Sequence, residues 1–163
     1  MKKQIDFYFD VVSPYSYVAS TLIEDVAQRC NADLLWNPIL LGGIFKAVGT
    51  SNAPGLTPAK KPYMLKDLQR LSRHYGIPLQ MPPDFPVRTV LVMRALSGLP
   101  PEQIPQAAHT LFNAYWADNL DIADREVVAS LIGQEAVERA GMHEVKDALF
   151  KNTEEAVKRG AFG

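Results

Sequence analysis

Ser13 stands between a short alternating run, Ile5-Asp6-Phe7-Tyr8-Phe9-Asp10, and an apolar stretch that opens with Pro14-Tyr15-Ser16. Serine before proline is a strong helix start: the hydroxyl caps unpaired backbone N–H groups, and proline suits the first helical position. Such a start carries partial positive charge, so a hydroxyl there can help hold a phosphate, a carboxylate or a thiolate. The residue types leave the anion open among these, and they equally allow Ser13 to be an ordinary cap. Ser16, one turn on, reads as a helix-surface or packing residue. The chain has no Cys-x-x-Cys, and its single cysteine, Cys30, can form neither an internal disulfide nor a multi-thiolate metal site. Cys30 reads as a small buried hydrophobe near a helix end. Any thiol chemistry must therefore use a sulfur from outside the chain. His74, His109 and His143 are far apart and fit no metal-ligand spacing, so no metal is expected.

The elements that would position Ser13 follow from periodicity. Residues 4–10 alternate as a strand, and 14–30 carry Tyr17, Val18, Thr21, Leu22 and Val26 at helical spacing up to a stop at Asn31. A short apolar run from Ala32 to Trp36, closed by Asn37-Pro38, predicts a second strand. Strand, helix, strand makes one βαβ unit with parallel strands. Beyond Pro38 the pattern is helical: 42–48, then a helix capped at Thr57-Pro58 and stopped after Tyr75 by Gly76. Further helices are expected over 87–97, 101–116, 125–132, 134–140 and 143–158. The stretch 76–86 holds Pro78, Pro82, Pro83 and Pro86 and must be extended. Phe112, Tyr115 and Trp116 on one helix read as core. Two parallel strands are a marginal sheet, so the strand and helix order is awkward taken alone.

With 47% hydrophobic and 21% charged residues, 163 residues suffice for one sizeable core or for two small lobes sharing one. The net charge of -1 comes from interspersed signs without a long basic run, which argues against nucleic acid as a partner. Asp6 and Asp10 interrupt the N-terminal segment, so it reads as neither a signal peptide nor a membrane span. A cytoplasmic protein with no membrane partner is expected.

The run Phe7-Tyr8-Phe9-Asp10-Val11-Val12-Ser13-Pro14-Tyr15-Ser16-Tyr17 closely resembles the opening of kappa-class glutathione transferases and the related 2-hydroxychromene-2-carboxylate isomerases, within the DsbA-like thioredoxin superfamily. The similarity extends through 49–56, Lys60 with Tyr63-Met64, Tyr75-Gly76-Ile77-Pro78 and Arg159-Gly160-Ala161-Phe162-Gly163, and so covers essentially the whole chain. It implies an α/β thioredoxin-like fold with an inserted all-helical domain, which accounts for the awkward order. Residues 1–40 would form the N-terminal βαβ part, 41–142 the helical insertion, and 143–163 a helix returning to the thioredoxin-like part. The family continues past the Gly-Ala-Phe-Gly motif into a cis-proline loop, two strands and a helix. On this resemblance the C-terminal strands of the thioredoxin fold are absent from the chain.

Redox members of the superfamily carry Cys-x-x-Cys where this chain has Ser13-Pro14-Tyr15-Ser16, so absent sulfur excludes disulfide exchange. The serine version resembles enzymes that bind glutathione. The resemblance implies that Ser13 donates a hydrogen bond to the glutathione sulfur and stabilises it as thiolate. It also implies that Asn52 and Lys60 contact the cofactor, and that Lys46, Asn52, Ala53 and Phe85 lie on the substrate side. The expected reaction is conversion of 2-hydroxychromene-2-carboxylate to trans-o-hydroxybenzylidenepyruvate in naphthalene-type catabolism, on a small aromatic-derived carboxylate and as a homodimer. The alternatives are a kappa-like transferase or peroxidase and a non-catalytic glutathione- or peptide-binding protein. A cation placed for a substrate carboxylate beside the sulfur, such as Lys46 or Arg88, would mark the isomerase.

Overall fold

The computed structural model describes residues 2–49, 58 and 60–162. Strand β1 (Lys3–Phe9) pairs in parallel with β2 (Ala32–Pro38), in a register that sets Lys3 opposite Ala32 and Phe9 opposite Pro38. Pro38 closes the strand, where a missing N–H costs the ladder least. Between the strands the expected single helix is two: α1 (Pro14–Ser20) and α2 (Ile23–Arg29). The break falls at two hydroxyls that bond back to the chain, Ser20 to the Tyr17 carbonyl at 2.7 Å and Thr21 to the Val18 carbonyl at 2.8 Å. Such local bonds compete with continuation of a helix. Asn31 ends α2 with φ 50, in the left-handed region that asparagine tolerates.

Every other regular element of the described chain is a helix. Helices α3 (Leu41–Ala47), α4 (Lys60–Tyr75) and α5 (Val90–Ser97) are followed by α6 (Ile104–Trp116), α7 (Arg125–Ile132), α8 (Gln134–Arg139) and α9 (His143–Lys158). Gly76, with φ +66, supplies the left-handed residue that stops α4. Two starts come three residues later than expected, at Val90 and Ile104, because 87–89 is not helical and 101–103 forms a turn. The expected cap at Thr57 lies outside the described residues.

One contiguous core joins the strands to the helices. Phe7 and Phe9 stack at 5.4 Å, and Trp36 meets them edge-on at 5.0 and 5.3 Å. From Phe9 the aromatic contact passes to Phe112 at 5.7 Å and on to Tyr17 at 5.9 Å. Phe112, Tyr115 and Trp116 are core residues, as their pattern predicts, and Val92, Met93 and Leu96 of α5 complete the cluster. Cys30, expected to be buried, is exposed at the end of α2. The opposite face of the sheet is covered by a smaller cluster of Ile39, Ile44 and Ala156, with Tyr8 and Ala161 at its margin. Here α9 grips the turn between β2 and α3. The Thr153 hydroxyl donates to the Leu149 carbonyl at 2.8 Å and accepts the Leu40 N–H at 3.0 Å, and a Cβ at Gly43 would come 3.1 Å from the Thr153 methyl. Arg159 closes α9 with ion pairs to Asp6 and Glu155, both at 2.8 Å.

Two buried polar contacts fix the chain just ahead of Ser13. The Trp116 Nε1–H donates to the Val11 carbonyl at 2.8 Å. The Asp10 carboxylate, fully buried, accepts from the Val12 N–H at 3.1 Å, the Leu41 N–H at 2.9 Å and the Thr89 hydroxyl at 3.1 Å. It thereby joins the end of β1, the start of α3 and the segment leading into α5. Burial pushes its carboxyl above the ordinary 3.8, against the pull of those three donors.

Trp116→Phe removes the N–H and leaves the buried Val11 carbonyl unpaired, so chemical denaturation should show a loss of about 1–3 kcal/mol; an unchanged midpoint would show the bond to be dispensable. Asp10→Asn should also destabilise, because one amide oxygen cannot serve three donors. A folded pKa above the unfolded one means that the Asp10 carboxyl adds most stability below the unfolded value and loses it as pH rises through the folded value. The gap between wild type and Asp10→Asn should therefore narrow as pH rises from below 4 toward neutrality. A gap that widened instead would mean that the anion is the favoured buried form.

Candidate active site

Ser13 has extended backbone dihedrals, φ -85 and ψ 116, and Pro14 follows as the first residue of α1. Its own N–H donates to the Asp10 carbonyl at 2.9 Å, and its carbonyl accepts from the Tyr17 N–H at 3.0 Å. The Ser16 N–H donates to Ser13 Oγ at 3.2 Å, so the side chain is a working cap. That bond uses an acceptor site on Oγ and leaves the hydroxyl proton for another partner; among the described residues none takes it. No acidic side chain occupies the first turn of α1, so nothing there competes with an incoming anion.

The Ser13 side chain lines a cavity of about 230 Å³. The end of β1 contributes Tyr8, Phe9 and Asp10, the β2–α3 junction contributes Ile39, Leu41 and Ile44, and Ser16, Ala161 and Phe162 complete the wall. Most of these groups are apolar, and such surroundings strengthen a hydrogen bond to a bound anion relative to water. Burial raises the pKa of Tyr8, with Arg159 pulling it back, so the phenol stays neutral near pH 7. Tyr15 points the other way, donating to Asp67 Oδ2 of α4 at 2.9 Å. Burial and then that carboxylate push its pKa up to about 12, which makes Tyr15 a strut between α1 and α4 rather than a proton source.

The remaining expected site residues are placed as follows. Lys60 opens α4 and is exposed. Lys46 is exposed in the last turn of α3; Leu41 and Ile44 share the cavity face, and a residue two positions past Ile44 projects off that face. Phe85 is half-buried against the Trp116 ring, centroids 5.7 Å apart, and does not line the cavity. Asn52 and Ala53 lie outside the described residues. Arg88 is exposed and lines a different cleft. The cavity wall, among the described residues, carries no Lys or Arg.

Sequence reasoning missed Asp10, Ser16 and Phe162 as neighbours of the site. The alternating pattern sets Asp10 on the polar side of a strand, whereas the structure buries its carboxylate among donors from Val12, Leu41 and Thr89, the last two distant in sequence. Ser16 lends its backbone N–H to Ser13 and lines the cavity. Phe162 is 72% exposed and touches the cavity only because α9 returns the chain to β1, which no local pattern announces. Among the described residues no cluster of His, Cys, Asp or Glu could hold a metal ion, and no helix is long and apolar enough to cross a membrane.

Comparison with known proteins agrees with this arrangement. Residues 4–163 match the DSBA-like thioredoxin domain family. The chain is 31% identical to human glutathione S-transferase kappa 1, an alignment that takes in 100% of this chain and 79% of the relative. It is 30% identical to the 2-hydroxychromene-2-carboxylate isomerase of Pseudomonas putida, over 80% of this chain and 64% of the relative. Among solved structures, a 2-hydroxychromene-2-carboxylate isomerase superposes with a TM-score of 0.82 at 25% identity, covering 98% of this chain and 82% of that one. A β1–Ser13–α1 junction, two parallel strands and a helical remainder are thus the parts of an α/β DsbA-like thioredoxin fold, and the chain belongs to the DSBA-like thioredoxin domain family, with kappa glutathione transferases and 2-hydroxychromene-2-carboxylate isomerases as relatives.

Proposed function

We propose that this protein is a glutathione-dependent isomerase of the 2-hydroxychromene-2-carboxylate type, with Ser13 holding the cofactor sulfur. The observation that carries the reading is the Ser13 hydroxyl itself: it accepts the Ser16 N–H, keeps its own proton to donate, and faces a cavity. The cavity of about 230 Å³ has room for a cysteinyl side chain and its flanking peptide groups, so the residues present fit the thiol end of glutathione. When bound, glutathione supplies a thiolate nucleophile that adds reversibly to a conjugated carbon of the substrate. Ser13 donates to the sulfur and favours its anionic form, and the partial charge of the α1 start works in the same direction. Ile39, Leu41 and Ile44 would present an apolar wall to the sulfur, and the Asp10 anchorage holds the turn that carries the Ser13 hydroxyl. Lys60 and Asn52 are proposed as cofactor contacts, and Lys46, Asn52, Ala53 and Phe85 as residues of the substrate side. An inserted helical domain and a cytoplasmic homodimer belong to the same proposal.

One observation favours a second reading, a kappa-type transferase. Neither Lys46 nor Arg88 lines the Ser13 cavity, and a cation at that point is what a substrate carboxylate would require. Absorbance-monitored turnover of 2-hydroxychromene-2-carboxylate, with and without glutathione, separates the readings. Turnover that depends on glutathione is expected; equal rates without it would sink the mechanism, and conjugation of an aryl halide without isomerisation would establish the transferase. Ser13→Ala should lower kcat/KM about a hundredfold, the usual effect of removing one donor to a reacting anion. The same change should lower stability by only about 1 kcal/mol through loss of the cap. A variant that unfolded, or one that kept full activity, would leave Ser13 with the capping role alone.

A further inference from the structure

A second cleft, of about 460 Å³, opens between α5, α7 and α8 and is lined by three arginines. Arg88 precedes α5, Arg94 lies within it, and Arg125 is the first residue of α7. Val90, Leu91, Val137 and Ala140 give the cleft an apolar wall, with Val137 and Ala140 themselves buried. Among the described residues no Asp or Glu lines it. None of the three guanidinium groups has an ion pair or side-chain hydrogen bond among the described residues. The two aspartates just ahead of α7 are turned to backbone. Asp121 accepts from the Ala123 N–H at 2.9 Å, and Asp124 accepts from Glu126 and Val127 as the cap of α7. By contrast, Arg159 is tied to two carboxylates.

Three like charges, two from α5 and the residues leading into it and one from the start of α7, repel one another in a shared concavity, and an anion seated among them removes that repulsion. The guanidinium fork pairs two-for-two with a carboxylate or a phosphate, so several arginines favour a ligand with more than one negative charge. The apolar wall adds a preference for a hydrocarbon body between or beside those charges. The volume is in the range of small-molecule sites. We propose that this cleft is a binding site for a small organic dianion, a compact apolar body bearing two carboxylates or one phosphate, separate from the Ser13 cavity.

The test is titration of the isotope-labelled full chain with phthalate, with phenyl phosphate and with benzoate, followed by amide resonances. Saturable shifts at Leu91, Ala123, Val137 and Ala140 are expected for phthalate, for phenyl phosphate, or for both, and the two arms show which anionic group the cleft prefers. Benzoate, with one charge, should bind at least about tenfold more weakly, the ratio that corresponds to one lost charge-assisted contact. Arg94→Gln and Arg125→Gln should each weaken the dianion by about the same factor. Arg125 is exposed at a helix start, so Arg125→Gln carries the test even where Arg94→Gln perturbs folding. Absence of saturable shifts at these residues overturns the proposal, as does equal affinity for benzoate and phthalate, or dianion binding that ignores both substitutions.

Discussion

A buried carboxylate with three donors holds the site together. Asp10 sits where β1 ends, α3 begins and the segment into α5 passes, and its two oxygens serve a backbone N–H from its own turn, one from Leu41 and the Thr89 hydroxyl. Buried carboxyl oxygens are costly unless their hydrogen-bonding capacity is met, so each segment is obliged to stay where Asp10 needs it. Ser13 takes its position from this arrangement, since its N–H closes a turn on the Asp10 carbonyl. Geometry at the cavity is thus set by a group that has no acid–base part in the proposed chemistry.

The two-stranded sheet explains why so much aromatic surface gathers here. Among the described residues no third strand flanks the parallel pair, and its faces carry the packing seen. Phe7, Phe9 and Trp36 cover one face and interlock with Phe112 of α6, while Ile39, Ile44 and Ala156 cover the other. Each large side chain buried in this way contributes on the order of 2 kcal/mol. Trp116 links that packing to the site through its bond to the Val11 carbonyl, so core and cavity are one mechanical unit.

Local patterns made much of this readable. The strand at Ile5 to Phe9 and the Ser13-Pro14 cap follow from period and residue type, as does the stop at Gly76, and each holds in the structure. The helix over 14–30 shows the limit: hydropathy continues through Ser20 and Thr21, but their hydroxyls return to the preceding turn and the helix breaks. The candidate site was legible only at the Ser13 cap, because a cap is local. Its walls were not, because Asp10, Ile44 and Phe162 meet only through contacts between residues far apart in the chain. Lys46 is exposed in the last turn of α3, and its side chain is not among those lining the Ser13 cavity.

The contact between Gly43 and Thr153 bears on which sequences can encode this fold. Thr153 cannot swing aside, since its hydroxyl is engaged by Leu149 and Leu40 at once, and its methyl fills the space that a Cβ at position 43 would need. Alanine at 43 fits once the methyl is gone, and serine at 153 removes the methyl while keeping both hydrogen bonds. What an alanine at 43 asks of the fold therefore depends on the residue at 153, although 110 residues of sequence separate them. The turn after β2 and the last helix thus constrain each other's residue choices through one methyl group.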